Sequence, residues 1–342
     1  MKFNKKKIII AAISLTLLSS CGTDTSSTSN TEDQSVATET ENTAAIAEET
    51  ETPDEVSFLN PTDPLTFGYM SSIDNLPFIY ADEFDLYEQY SVNFELIPFF
   101  AANERDMAYL GGELDGIACD LLAMASYYKS EKPAIIAGSN TSNFSLAVNS
   151  NSGIESIEDL EDKVILYSKN TVIDYTIDKM LEIANLPIDS VTKEAVPSMP
   201  LRVEMLLAGE ADAALMPDPF ATTARVGGSN IIFESQDYNI GVTGFGFEKE
   251  FLSENQELAY GVLSAYNAAV EELNKMTDDE FTEYIFSKFD YSEDLKGELP
   301  RYDFKASSLP EIEQFDDAFL WAQTHDLIET IPTYEEATLA EN

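Results

Sequence analysis

Three aspartates, Asp74, Asp120 and Asp218, stand where a predicted strand gives way to a predicted helix. In open α/β sheets that junction is where small ligands are met, because strand ends and helix N-termini converge there. A carboxylate so placed accepts N–H groups. Other polar and aromatic residues fall at equivalent junctions: Tyr69 and Asn75 after the first strand, Phe100 and Asn103 after the second, Asn140 after the fourth. Asn170 and Thr171 occupy a later strand-to-helix turn. Amides and hydroxyls both donate and accept, and aromatic faces cover flat or cationic groups. Phe245, in a late extended run, either stacks on a flat ring or packs in a core. Asp120, Asn170 and Thr171 also suit helix N-caps, and both roles stay open for them.

Catalysis and metal chemistry are poorly supplied. The chain has one histidine, His325, and two cysteines, Cys21 and Cys119. A single histidine excludes poly-histidine zinc sites, and no Gly-x-Ser-x-Gly elbow offers a serine nucleophile. No Gly-x-x-x-x-Gly-Lys loop is present to cradle nucleotide phosphates. Cys119, in an apolar stretch, reads as a buried structural thiol. We therefore expect no enzyme activity, no cofactor and no metal. Of the few cations, Arg105 and Lys169 lie near the predicted ligand loops, and carboxylates outnumber them. The favoured ligand is a neutral or cationic heterocycle, with a small anion held by helix N-termini as the alternative.

The elements that must position these residues alternate. Strands are predicted over 65–69, 92–99, 115–119 and 134–137, with helices over 77–90, 103–111 and 120–128 between them. After an extended crossing at 145–149 the alternation starts again: strands 163–167, 211–216 and 231–233, helices 171–185, 200–208 and 217–225. A second extended run, 241–247, precedes a mostly helical stretch from 253 to about 327. Such alternation predicts mainly parallel sheets covered on both faces. Two blocks joined by two crossings predict two α/β lobes with a cleft between them, hinged near 143–149 and 239–244.

The ends of the chain and its charge address location. Lys2, Lys5, Lys6 and Lys7 precede an apolar run of about 11 residues, shorter than the roughly 20 of a spanning helix. Leu18-Ser19-Ser20-Cys21 then resembles the lipobox of bacterial lipoproteins, in which the cysteine is lipidated and becomes the first residue. From 22 to about 60 the chain is Ser, Thr, Glu, Asp and Ala with almost no large apolar residue. Such a segment is expected to stay disordered as an acidic stalk. With 63 acidic against 19 basic residues, the net charge is -44. That argues against nucleic acid and against docking of the domain surface on anionic lipid.

A family resemblance emerges from several segments together. Arg105-Asp106-Met107-Ala108-Tyr109-Leu110 followed by Gly112-Glu113-Leu114-Asp115-Gly116 resembles the first lobe of bacterial ABC-importer solute-binding proteins. Ser156-Ile157-Glu158-Asp159-Leu160-Glu161-Asp162-Lys163, Leu207-Ala208-Gly209-Glu210-Ala211-Asp212 and Met216-Pro217-Asp218-Pro219 resemble the second. The likeness is to the thiamine-precursor (hydroxymethylpyrimidine) and nitrate/sulfonate/taurine binding group, with Asp218 where glutamate is usual and Asp162 where glycine is usual. It implies the periplasmic-binding-protein-like type 2 fold. The domains expected are a signal peptide at 1–20, a lipidated Cys21 and stalk at 21–60, lobe 1 at 61–144, lobe 2 at 145–240, and the rest of lobe 1 with a helical cap at 241–342. The function implied is capture of a small molecule and delivery to an ABC permease and its ATPase, by a monomer held outside the cell membrane through its lipid alone. A non-transporting sensor lipoprotein is the remaining alternative.

Overall fold

In the computed structural model, residues 64–339 are described. The signal segment, Cys21 and the acidic stalk lie outside the described residues. β1 (Leu65–Met70) alternates so that Leu65, Phe67 and Tyr69 bury on one face. α1 (Leu76–Glu83), with proline in its first turn, and α2 (Leu86–Gln89) return the chain to β2 (Phe94–Phe99). Then come α3 (Ala102–Gly111), β3 (Gly116–Asp120), α4 (Leu121–Tyr127) and β4 (Ala134–Ser139). β5 (Phe144–Val148) crosses to a second set: β6 (Val164–Tyr167), α5 (Val172–Ile183), β7 (Thr192–Ala195) and α6 (Met199–Ala208). That set ends with β8 (Ala213–Pro217), α7 (Phe220–Val226) and β9 (Asn230–Glu234). β10 (Thr243–Glu248) returns, followed by α8 (Lys249–Lys275), α9 (Asp278–Lys288), α10 (Ile312–Thr324) and α11 (Tyr334–Ala337).

The strands form two five-stranded sheets. Sheet A runs β2-β1-β3-β10-β4, and sheet B runs β7-β6-β8-β5-β9. Both are mixed where mainly parallel sheets were expected: β10 is antiparallel to β3 and β4, and β5 to β8 and β9. The reason is the crossings themselves. A strand that arrives from the other lobe starts at the facing edge and runs away from it, opposite to neighbours that end there. β7, with the polar sequence Thr-Lys-Glu-Ala, is an edge strand that hydrophobic alternation does not reveal.

β10 explains the glycines at 244 and 246. A Cβ at Gly244 would stand 2.3 Å from the Gly138 carbonyl oxygen, and one at Gly246 2.5 Å from that of Ile135. Glycine is required by close approach of β4, while Phe245 and Phe247 fill the opposite face. Asp162 holds φ at +63°, the left-handed conformation that aspartate tolerates better than most residues.

The two sheets are built on one repeated unit. Arg105 on α3 donates from Nη1 to the Ala118 carbonyl at 2.9 Å, thirteen residues on. Arg202 on α6 donates from Nη1 to the Leu215 carbonyl at 2.7 Å, again thirteen residues on. Each helix ends at a left-handed glycine, Gly112 or Gly209, followed by Glu-x-Asp. Each of those aspartates accepts a strand N–H: Asp115 from Thr66 at 2.8 Å, Asp212 from Val164 at 2.9 Å.

Helix α10 ties the two halves together behind the sheets. Phe315 and Phe319 belong to one buried cluster with Leu121, Leu122 and Ala125 of α4. On α5, Tyr175 donates to Asp317 at 2.5 Å, Lys179 pairs with Asp317 at 2.7 Å, and Trp321 Nε1 donates to Asp178 at 2.9 Å. The mostly helical stretch expected from 253 to about 327 is interrupted. Between Phe289 and Glu311 the chain is mostly irregular, broken at Gly297 (φ +83°) and at Pro300 and Pro310.

Candidate functional site between the sheet edges

Strand direction places the candidate residues. β1, β2, β3 and β4 all end at one edge of sheet A, and β10 begins there, with Thr243 opposite Asp120. β6, β7, β8 and β9 end at one edge of sheet B, where β5 begins with Phe144 opposite Pro217. The crossings 139–144 and 234–243 join these edges and bond to each other: Asn140 N–H to the Thr243 carbonyl at 3.2 Å, and Ser142 Oγ with Thr243 Oγ1 at 2.6 Å. On the sheet A side stand Asp74, Asn75, Asp120 and Asn140. On the sheet B side stand Asn170, Thr171 and Asp218.

Asp120 spans both edges. Its Oδ1 caps α4 by accepting from Ala123 N at 2.8 Å, and its Oδ2 accepts from Val172 N, at the start of α5, at 3.4 Å. Burial raises its pKa above the ordinary carboxylate value, and Arg105 opposes that rise. Asp218 is 5% exposed and lies just before α7, accepting from Thr222 N at 3.0 Å and Thr222 Oγ1 at 2.6 Å in its first turn. Burial raises its pKa too. Asp74 is likewise pushed up by burial, against a hydrogen bond from Ser72 and the charge of Arg105. Asp74 and Asp218 both raise the pKa of Tyr291 and of Tyr302, behind burial, so the four groups share one electrostatic neighbourhood across the two lobes.

Asn75 is buried, its Nδ2 donating to Met70 O at 3.2 Å and Asp74 Oδ2 at 3.0 Å. Asn140 Nδ2 reaches Asn75 Oδ1 at 3.5 Å, while Asn140 Oδ1 and the Tyr291 hydroxyl are buried with no hydrogen-bond partner among the described residues. Buried polar atoms left open at a facing edge are where a ligand contributes most. Thr171 takes its capping role, its Oγ1 accepting from Ile173 N at 3.2 Å. Asn170 is exposed in the left-handed conformation, with its N–H given to Asp174.

Three expectations are corrected. Phe245 is fully buried in an aromatic cluster with Phe67, Phe78 and Tyr266 and stacks on no ligand surface. Its side of β10 packs against Tyr266 of α8. Tyr69 follows the buried alternation of β1 into the same core, where burial and Asp82 push its pKa to about 12. Asn103 is not the cap of α3. Ala101 holds that position, and Asn103 sits exposed inside the first turn. Phe100 stands at the end of β2, 81% exposed. Arg105 is buried against Asp106 and the Ala118 carbonyl.

Tyr291 and Tyr302 were hidden from sequence reasoning by the apparent continuity of the last helical stretch, although Gly297 and Pro300 between them mark a break. Their segment straps both lobes: the Ser308 carbonyl accepts Ser139 N–H at 2.8 Å, and Glu298 Oε2 pairs with Arg225 of α7 at 3.1 Å. Two surface hollows, of about 350 and 510 Å³, lie elsewhere, one beside α5 and Trp321 and one beside α8 and Tyr334. At the facing edges the lobes meet through Asp120 with Val172 and Arg225 with Glu298.

Two mixed sheets with opposed strand ends, joined by two crossing strands, match known architecture. The periplasmic aliphatic sulphonate binding protein SsuA from Escherichia coli superimposes with a TM-score of 0.69 at 14% identity, covering 82% of this chain and 92% of that one. The fold is that of the periplasmic solute-binding proteins. The periplasmic nitrate-binding protein NrtA from Synechocystis PCC 6803 shares it at a TM-score of 0.60 and 13% identity, over 76% of this chain and 80% of that one. A periplasmic-binding-protein fold also serves the desulfurization enzyme DSZB, with a TM-score of 0.60 and 12% identity over 81% of this chain and 96% of that one. Residues 133–278 match the family model described as NMT1/THI5 like. No curated protein matches the chain.

Proposed function

We propose that this chain is the solute-capturing subunit of an ABC importer, tethered outside the membrane through Cys21 and presenting its bound solute to a permease. The observation that carries the reading is the pair of opposed strand edges joined by two crossing segments, each edge holding polar groups at strand-to-helix turns. A cleft of that design needs no catalytic group; it needs a solute whose contacts on one lobe are completed by the other. The buried Cys119, with its thiol pushed far up by burial, and His325, stacked on Trp321, give a catalytic reading little to work with.

For the solute class, a small oxyanion such as a sulfonate or nitrate is the reading we favour on balance. The ligands named for SsuA and NrtA support it, and they stand nearer to the alternative drawn from the sequence than to its heterocycle. A second reading, a neutral or cationic ligand bearing N–H groups, is favoured by Asp74 and Asp218 beside Tyr291 and Tyr302. Native mass spectrometry of protein purified without refolding, before and after denaturation, tests both. A released sulfonate or other oxyanion supports the first, a released basic heterocycle the second. An empty protein that no small solute stabilises in a thermal-shift screen would sink solute capture itself.

A further inference from the structure

The repeated arginines of the two lobes stand in unlike electrical settings. Arg105 meets a counter-ion at once, donating from Nη2 to Asp106 Oδ1 at 2.8 Å and from Nε at 3.0 Å. Arg202 is fully buried and ends on neutral acceptors: the Val196 carbonyl at 3.1 and 2.8 Å, the Leu215 carbonyl at 2.7 Å and Ser168 Oγ at 2.5 Å. Among the described residues no carboxylate pairs with it, and burial alone lowers its pKa to about 10. Position 106 is aspartate after Arg105, and position 203 is valine after Arg202. A buried cation held only by neutral acceptors is costly, and a negative group close by would lower that cost.

Ser168 is the point where that charge reaches the facing edges. It lies between the end of β6 and the start of α5, half-buried at the edge of sheet B. A guanidinium has only donors, so Ser168 Oγ must accept from Arg202, leaving its hydrogen to point elsewhere. No acceptor for that hydrogen exists among the described residues' hydrogen bonds. Val172 N, in the neighbouring turn, is already taken by Asp120 Oδ2 of the opposite lobe, so the Ser168 hydroxyl is the donor that the turn leaves open.

We propose that Ser168, oriented and polarised by Arg202, is the oxyanion-recognising donor of the cleft. Arg202 is a positioning residue that acts through Ser168, and its uncompensated charge makes lobe 2 the jaw that takes the anionic head of the solute. The inference rests on the small-oxyanion reading above and names the residue that would execute it.

The test is isothermal titration of the full-length chain with methanesulfonate, 2-aminoethanesulfonate and nitrate as probes. If none of the three binds the parent chain, the oxyanion reading falls and this inference with it. If one binds, Ser168→Ala is expected to weaken it about tenfold to a hundredfold, the range for one hydrogen bond to a charged group. Ser168→Thr, which keeps the hydroxyl, is expected to restore most of the affinity, and the melting temperatures of the unliganded proteins to stay together. Arg202→Lys is expected to weaken binding in the parent background and to add nothing in the Ser168→Ala background, which a merely structural arginine would not do. Unchanged affinity in Ser168→Ala, with the parent binding, overturns the inference while leaving the oxyanion reading intact.

Discussion

Asp120 Oδ2 of sheet A accepts the backbone N–H of Val172, the first residue of a helix beside sheet B, at 3.4 Å. The same carboxylate caps its own helix through Ala123. One side chain thus serves local helix stability and contact between the lobes, and substitutions can separate the two.

Asp120→Asn keeps a capping oxygen for α4 but removes the charge at Val172. Asp120→Ala removes both. We expect Asp120→Ala to lose about 1 kcal/mol of stability and Asp120→Asn much less. Both are expected to enlarge the radius of gyration of the unliganded protein in small-angle scattering. Equal radii for parent and variants would show that this contact does not hold the lobes together.

Acidity is expected to stabilise the fold within limits. Asp74, Asp120 and Asp218 have pKa values raised by burial, so the native state binds more protons than the unfolded chain above the ordinary aspartate value near about 4. Stability therefore falls as pH rises through their folded pKa values. Asp159, Glu280 and Glu336, whose capping hydrogen bonds lower their pKa, act in the opposite sense below the ordinary value. The melting temperature should fall by a few degrees as pH rises from about 4 through the folded pKa values, and Asp74→Asn with Asp218→Asn should flatten that slope. An unchanged slope in the double variant would assign the effect to general surface charge.

Gly244→Ala places a methyl group against the Gly138 carbonyl. With backbone as the obstacle, we expect a loss of about 2–3 kcal/mol, or roughly 5–10 °C in a thermal melt. Gly241→Ala, which meets no atom within 4 Å, is the control and should be near neutral.

Trp321 is the sole tryptophan and reports on the joint between α10 and α5. Asp178 accepts its Nε1 and also pairs with Lys193, while His325 stacks on the indole at 3.7 Å. Asp178→Ala leaves the indole N–H unpaired and Lys193 with Asp174 alone. We expect a cost of about 2–4 kcal/mol and a shifted tryptophan emission in the folded state. Unchanged emission would show that the hydrogen bond does not set the indole's environment.

Cys119 is 6% exposed, and burial holds its thiol far above the normal range. Thiol reagents should label it slowly in the native protein and fully in denaturant. Rapid native labelling would mean that β3 opens locally.

The placement of the candidate residues was legible in part, because junction residues follow from element order. Asp120 and Asp218 fall at strand-to-helix turns whichever way their side chains bond. Phe245 and Tyr69 were misplaced because side-chain direction depends on which face of a strand is covered, and that is decided by distant elements. Arg202 escaped notice because a sequence shows a charge but not the lack of a counter-charge. A usable signal was present: Arg, six residues, Gly-Glu-x-Asp occurs at Arg105 and again at Arg202. Aligning those two segments reveals the repeat, and the aspartate at 106 against the valine at 203 reveals how its copies differ.

That difference has a consequence for how a guest is seated. Between identical jaws a bound molecule could be turned end for end without penalty. Here the arginine of one lobe is cancelled by its neighbour and that of the other is not. On the proposed reading, a solute held between the edges would be sorted by orientation as well as by size, with only one heading giving its head and tail matching company.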